Sequence, residues 1–185
     1  DTYSNPHPPF MKALIAVGSP WAARKLPFPT DYRFPHFVWI AGSLTAAYGL
    51  LRRRSALVAA ATAIAFVALQ PRVFGHLLIA SCDSPVALAW LLLALLAWQL
   101  DEEEATPRRR VLLWIAFFFV AGCAAATKFT GFLALLPVGA FFLWRKRWRD
   151  AAVVAGAAAW AIVFVVMASP HVWHRPLAGA LAYLR

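Results

Sequence analysis

The chain has 185 residues, 62% hydrophobic and 14% charged, with a mean hydropathy of +0.65. Ala, Leu, Val and Phe come in long blocks, which excludes an ordinary soluble domain and points to a polytopic membrane protein. A net charge of +10 would suggest a nucleic-acid partner in a soluble protein. Here the basic residues bunch between apolar blocks, where membrane topology accounts for them, so no nucleic acid is expected.

Residues 1–9, DTYSNPHPP, are polar and proline-rich and read as a loop. The chain starts at Asp1 without Met and stops at Arg185 soon after an apolar segment, so it reads as a piece of a longer membrane protein. Phe10 to Ala23 is apolar but interrupted by Lys12, Gly18 and Pro20 and is too short to span, which fits an amphipathic segment lying at the interface. Arg24 to Pro35, with its prolines and charges, reads as a second loop. Six spanning segments follow, over 35–51, 55–70, 85–100, 111–127, 129–144 and 151–169. Each falls a little short of the roughly 20 residues an average bilayer asks for. The fold class is therefore all-α: about six transmembrane helices plus one interfacial helix. Residues 1–34 form an outer loop with that helix, 35–169 the transmembrane domain, and 170–185 the start of a further outer loop.

Residues 111–144 form one apolar run broken only at Thr127-Lys128. A single helix of that length would reach about 50 Å, too long for one crossing, and would put Arg108-Arg109-Arg110 opposite Arg145-Lys146-Arg147. A hairpin turning at Thr127 to Gly131 puts both basic clusters on one side. Arg52-Arg53-Arg54 then joins them, and the positive-inside rule makes that side cytoplasmic. The outer side receives residues 1–34, 71–84, about 127–130 and 170–185, with all five histidines (His7, His36, His76, His171, His174) and Arg72, Asp83 and Lys128.

The segment Gln70 to Trp90, QPRVFGHLLIASCDSPVALAW, lies between two apolar blocks and carries Arg72, His76 and Asp83. Ionisable groups are costly in hydrocarbon, so the chain is expected to leave and re-enter the membrane here. Asp83-Ser84-Pro85 reads as a helix start, with Ser84 as cap and Pro85 at the first helical position. Asp83 is then either a carboxylate stabilised by the helix dipole or a group facing an acceptor hydroxyl, metal or sugar. Lys128 is either a lysine reaching to headgroups or a cation holding an anionic one. His171 and His174 are spaced for a metal only on a helix, and Pro170 and Pro176 flank them without a nearby carboxylate, so no metal site is expected there. Cys82 and Cys123 are too few for a disulfide framework and read as small buried residues. No cytoplasmic loop has the Gly-rich pattern of a nucleotide cradle.

Four patterns together resemble the GT-C fold membrane glycosyltransferases, in particular family 39, which includes the dolichyl-phosphate-mannose protein mannosyltransferases and the lipid A aminoarabinose transferases. NPHPPFMKAL (5–14) is similar to the family's basic-Pro-Pro element, and PRVFGHLLIASCDSPVALAW (71–90) to its acidic residue before a helix. ATKFTGFLALLP (126–137) is similar to its Thr-Lys turn, and SPHVWHRPLAGALAYL (169–184) to its Pro-x-x-Trp outer loop. The resemblance implies a multi-pass protein of a bacterial or archaeal plasma membrane with its site facing outward. It would transfer a sugar from a polyprenyl-phosphate carrier in the membrane lipid to a hydroxyl of a protein, lipid or glycan. Lys128 matches the lysine suited to the donor phosphate, Asp83 the second acidic position and His7 the basic residue before the prolines; Arg72 and His76 join them as substrate-binding residues. The family's principal carboxylate lies upstream of the Pro-Pro element, and Asp1 sits too close to the prolines to match it. No cofactor is implied, and a divalent metal is left open. The competing classes are a transporter, which would carry ionisable groups at the bilayer midplane, and a membrane scaffold without activity.

Overall fold

The computed structural model describes residues 10–27, 30–69, 82–102 and 106–168. Among these every regular element is a helix: α1 (Phe10–Ala22), α2 (Thr30–Arg52), α3 (Leu57–Leu69), α4 (Asp83–Leu100), α5 (Pro107–Thr127), a 3₁₀ segment η1 (Phe129–Ala134), α6 (Leu135–Trp144) and α7 (Trp148–Met167). The chain is an all-α polytopic membrane protein.

Among the described residues four helices are long and apolar enough to cross a bilayer, within α2, α4, α5 and α7. The other two expected spans are shorter. α3 has 13 residues, about 20 Å at the α-helical rise, against a hydrocarbon core of roughly 30 Å. Residues 129–144 divide into six 3₁₀ and ten α-helical residues. The more extended 3₁₀ rise brings that segment to about 27 Å, close to a full crossing from few residues.

The second loop is shorter than its prolines suggest, because α2 begins at Thr30 and carries Pro35 within it. At the sixth helical position that ring costs one hydrogen bond early in the helix, while the flanking apolar packing continues. α1 lies against α2. A Cβ on Gly18 would run into the rigid Pro35 ring, so the ring seats against α1 only where the side chain is missing.

α4 is the central helix. It packs on α2, α5, η1 and α6, and most of its length is buried. Leu92, Leu93, Leu96 and Leu100 of α4 meet Phe117 of α5 and Phe142 of α6 in the core. α5 ends in the buried run Ala121-Gly122-Cys123-Ala124-Ala125-Ala126-Thr127. In a bilayer, helices associate by close packing rather than by water exclusion, and such small side chains let α4, α7 and η1 come near.

The chain reverses after α5, as the hairpin requires. Trp114 on the first half of α5 packs in a tilted pair with Phe142 near the end of α6, ring centroids 6.0 Å apart. The arginine clusters gather at the end where this hairpin opens. Arg54 Nε and Arg109 Nη2 reach Glu102 at 3.1 and 2.7 Å. Arg145 Nη2 and Arg147 Nη1 reach Asp101 at 3.2 and 3.0 Å. Arg110 Nη2 and Arg147 Nε both reach Asp150 at 2.7 Å. One acidic run after α4, plus Asp150, thus ties the ends of α2, α4, α5, α6 and α7 into one charged layer.

Candidate functional site

At the opposite end from that layer, Asp83 and Lys128 come together. α5 ends at Thr127, whose hydroxyl donates to the Cys123 carbonyl at 2.7 Å. Lys128 then takes an extended backbone, φ −159° and ψ 141°, while its N–H still donates to Ala124 O at 3.1 Å. Gly131 N–H donates back to Lys128 O at 2.8 Å and opens η1. One extended residue between two helices thus turns the Lys128 side chain sideways. Gly131 presses against the backbone of Ala124 and Ala125, where a Cβ would overlap it. This corner therefore closes tightly only with glycine.

Asp83 opens α4, where the helix dipole favours a negative charge. The helix starts earlier than its sequence pattern suggests. Cys82 is its N-cap without a side-chain cap bond, so Asp83 is the first helical residue and Pro85 the third. Pro85 fits there because N–H groups of the first turn have no intrahelical partner. Ser84 is therefore not the cap: it is inside the helix, buried, with its hydroxyl unpartnered. Lys128 Nζ reaches Asp83 Oδ1 at 2.5 Å, with the two side chains 34% and 54% exposed. A pair this open contributes about 0–1 kcal/mol to stability, so its chief effect is positional.

Lys12 of α1 belongs to the same corner. Burial pushes the Cys82 thiol up; the charges of Lys12 and Lys128 pull it down, and that of Asp83 adds to the rise. His36 is fully buried, and neither ring nitrogen has a hydrogen-bond partner. Gln99 Nε2 donates to Leu50 O at 2.9 Å across the parallel helices α2 and α4, an offset of 49 residues. The same offset puts His36 level with Pro85, at the Asp83 end.

Of the five residues expected at the site, the structure brings Asp83 and Lys128 into contact. His7, Arg72 and His76 lie outside the described residues, as do His171, Trp173, His174 and Tyr183. Sequence reasoning passed over Lys12, Ser84 and His36 as site neighbours. The signal for two of them is present: Lys12 interrupts an apolar segment and His36 stands inside a span, where ionisable groups are rare. Among the described residues no cluster of three or more His, Cys, Asp or Glu is placed to hold a metal ion.

The arrangement offers a cation and a carboxylate, both partly exposed, at adjacent helix ends, suited to neutralising an anionic group and accepting a proton next to it. A family model described as dolichyl-phosphate-mannose-protein mannosyltransferase matches residues 7–174, from before α1 to beyond α7. No curated protein and no solved structure matches the chain.

Proposed function

This chain belongs to the dolichyl-phosphate-mannose-protein mannosyltransferase family, and from that premise we propose that it works at the Asp83–Lys128 end, transferring a sugar from a polyprenyl-phosphate carrier to an acceptor hydroxyl outside the membrane. The class is that of a mannosyltransferase-like glycosyltransferase. The finer assignment rests on one observation: a lysine and an aspartate from separate helices touch at the end away from the arginine layer.

In this reading the acceptor oxygen attacks the anomeric carbon, the bond from that carbon to the phosphate oxygen breaks, and the lipid phosphate leaves with the electron pair. Lys128 stabilises the charge growing on the leaving oxygens. A carboxylate accepts the acceptor's proton, and Asp83 stands close enough to the lysine to take that part. Direct displacement inverts the anomeric centre. Arg72, His76 and His7 are assigned to donor binding as further basic groups of the same outer segments. The activated sugar arrives on its lipid, so the reaction draws on no nucleotide. The acceptor is a protein, lipid or glycan hydroxyl.

The competing reading makes the pair a fastener between α4 and the α5–η1 corner. Lys128→Ala and Asp83→Asn in the full-length protein, assayed with a polyprenyl-phosphate sugar, separate the two. Loss of transfer with retained thermal stability supports the enzyme site. Wild-type transfer in both variants leaves only the fastener.

A further inference from the structure

At the arginine end a cleft of about 540 Å³ opens between α2, α4 and α5. Its walls are apolar, with Leu50 from α2, Leu92 and Leu96 from α4, and Leu113 and Ala116 from α5 among them. Its mouth is basic: Arg53 closes one side and Arg108 and Arg109 the other. The volume falls within the roughly 300–1,000 Å³ of small-ligand clefts.

The charges at this mouth differ from the rest of the layer. Arg54, Arg110, Arg145 and Arg147 are taken up by Asp101, Glu102 and Asp150. Arg109 uses one nitrogen on Glu102 and on Gln99, while its buried Nε has no hydrogen-bond partner. Arg53 and Arg108 are exposed and make no ion pair among the described residues. Glu103 and Glu104 lie outside those residues. Among the described residues, two cations without an ion pair, Arg53 and Arg108, therefore line a cleft whose walls belong to membrane-spanning helices.

We propose that this cleft holds an anionic phospholipid, its phosphate between Arg53 and Arg108 and an acyl chain along Leu96, Leu113 and Ala116. A basic pocket between helices at a cytoplasmic surface suits such a headgroup. A zwitterionic lipid would bring its own cation to the arginines, and a peptide helix would leave them unneutralised. The site stands at the opposite end from the Asp83–Lys128 pair and does not depend on the reaction assigned there.

The test is native mass spectrometry of the full-length protein exchanged into phosphatidylglycerol or phosphatidylcholine, with glycerol phosphate as a soluble control. Wild type is expected to retain phosphatidylglycerol at least tenfold better than phosphatidylcholine and not to retain glycerol phosphate. Arg53→Ala and Arg108→Ala should each weaken retention about fivefold, and about 25-fold together, at about one charge contact per arginine. Arg52→Ala, outside the cleft, should change nothing. Equal retention of both lipids by wild type, an unchanged double variant, an equal loss in Arg52→Ala, or a cross-link from Ala116 to another helix of the chain would each overturn the assignment.

Discussion

Lys128 Nζ and Asp83 Oδ1 stand 2.5 Å apart although 45 residues separate them in the chain. The contact exists because α4 descends from Asp83 to the arginine layer and α5 climbs back to end one residue before Lys128. A straight helix through residues 111–144 would have carried the lysine to mid-membrane. The pair thus reports the topology as well as the chemistry.

Charge exchange separates the two roles of this pair. A fastener depends on opposite charges in contact and is restored when Asp83→Lys is combined with Lys128→Asp. A phosphate-holding lysine depends on which helix carries the cation. We expect each single variant to lower transfer by roughly 10²–10³-fold, the range for removing one preorganised donor. The double variant should regain thermal stability to within about 1 kcal/mol without regaining transfer. Recovery of both quantities would make the pair structural.

Gly131 tests the corner that aims Lys128. Its missing side chain admits the backbone of Ala124 and Ala125, and neither backbone can rotate away as a side chain could. Gly131→Ala should therefore destabilise the protein by about 1–3 kcal/mol, the range for overpacking. It should also weaken transfer, because Lys128 is displaced from Asp83. Thermal unfolding and an activity assay on the same preparation check both, and an unchanged melting temperature would refute the close approach.

The fold was readable where residue chemistry changes abruptly along the chain. Three arginine clusters and one break at Thr127-Lys128 fix which helix ends lie together, because charge and chain length admit only one arrangement. Helix ends near proline were harder. α2 absorbs Pro35 and α4 absorbs Pro85, since a proline in the first two turns removes little or no hydrogen bonding. The 3₁₀ segment η1 was not legible either: Gly131 lies within it against the backbone of Ala124 and Ala125, a close approach that only the folded corner reveals. For the site, Asp83 and Lys128 stand out as lone charges among apolar residues. Ser84 does not, because its burial depends on which face of α4 turns inward.

Asp150 anchors the opposite end. It is buried and bonded to Arg110 and Arg147 at 2.7 Å each. Removing its charge leaves the partly exposed Arg110 without its ion partner and Arg147 with Asp101 alone, a loss of about 1–3 kcal/mol. Asp150→Ala should lower the melting temperature sharply, whereas Lys128→Ala should leave it nearly unchanged. Transfer measured well below the melting temperature should respond in the opposite order. If Asp150→Ala proves as stable as wild type, the arginine layer does not hold the helix ends together.

Cysteine labelling joins topology to the electrostatics of the site. Cys82 precedes α4, half-buried, and burial raises its thiol above the ordinary value. The thiolate is the reactive form, so Cys82 in a Cys123→Ser background should label slowly at neutral pH and faster as pH rises past the usual thiol range. Lys12 and Lys128 both favour that thiolate. Lys12→Ala and Lys128→Ala should each slow labelling further at fixed pH, and Asp83→Asn should speed it. The linkage has a definite sign: a thiol protonated more firmly in the folded state contributes stability that is present below its unfolded value and is lost as pH rises through the raised one. An impermeant maleimide applied outside intact cells should reach Cys82 but not a cysteine introduced by Ser55→Cys, beside the arginine layer. Labelling of both from one side would break the arrangement in which the lysine, the aspartate and this thiol share a membrane face. A Cys82 rate indifferent to Lys12 and Lys128 would separate those lysines from the corner the structure gives them.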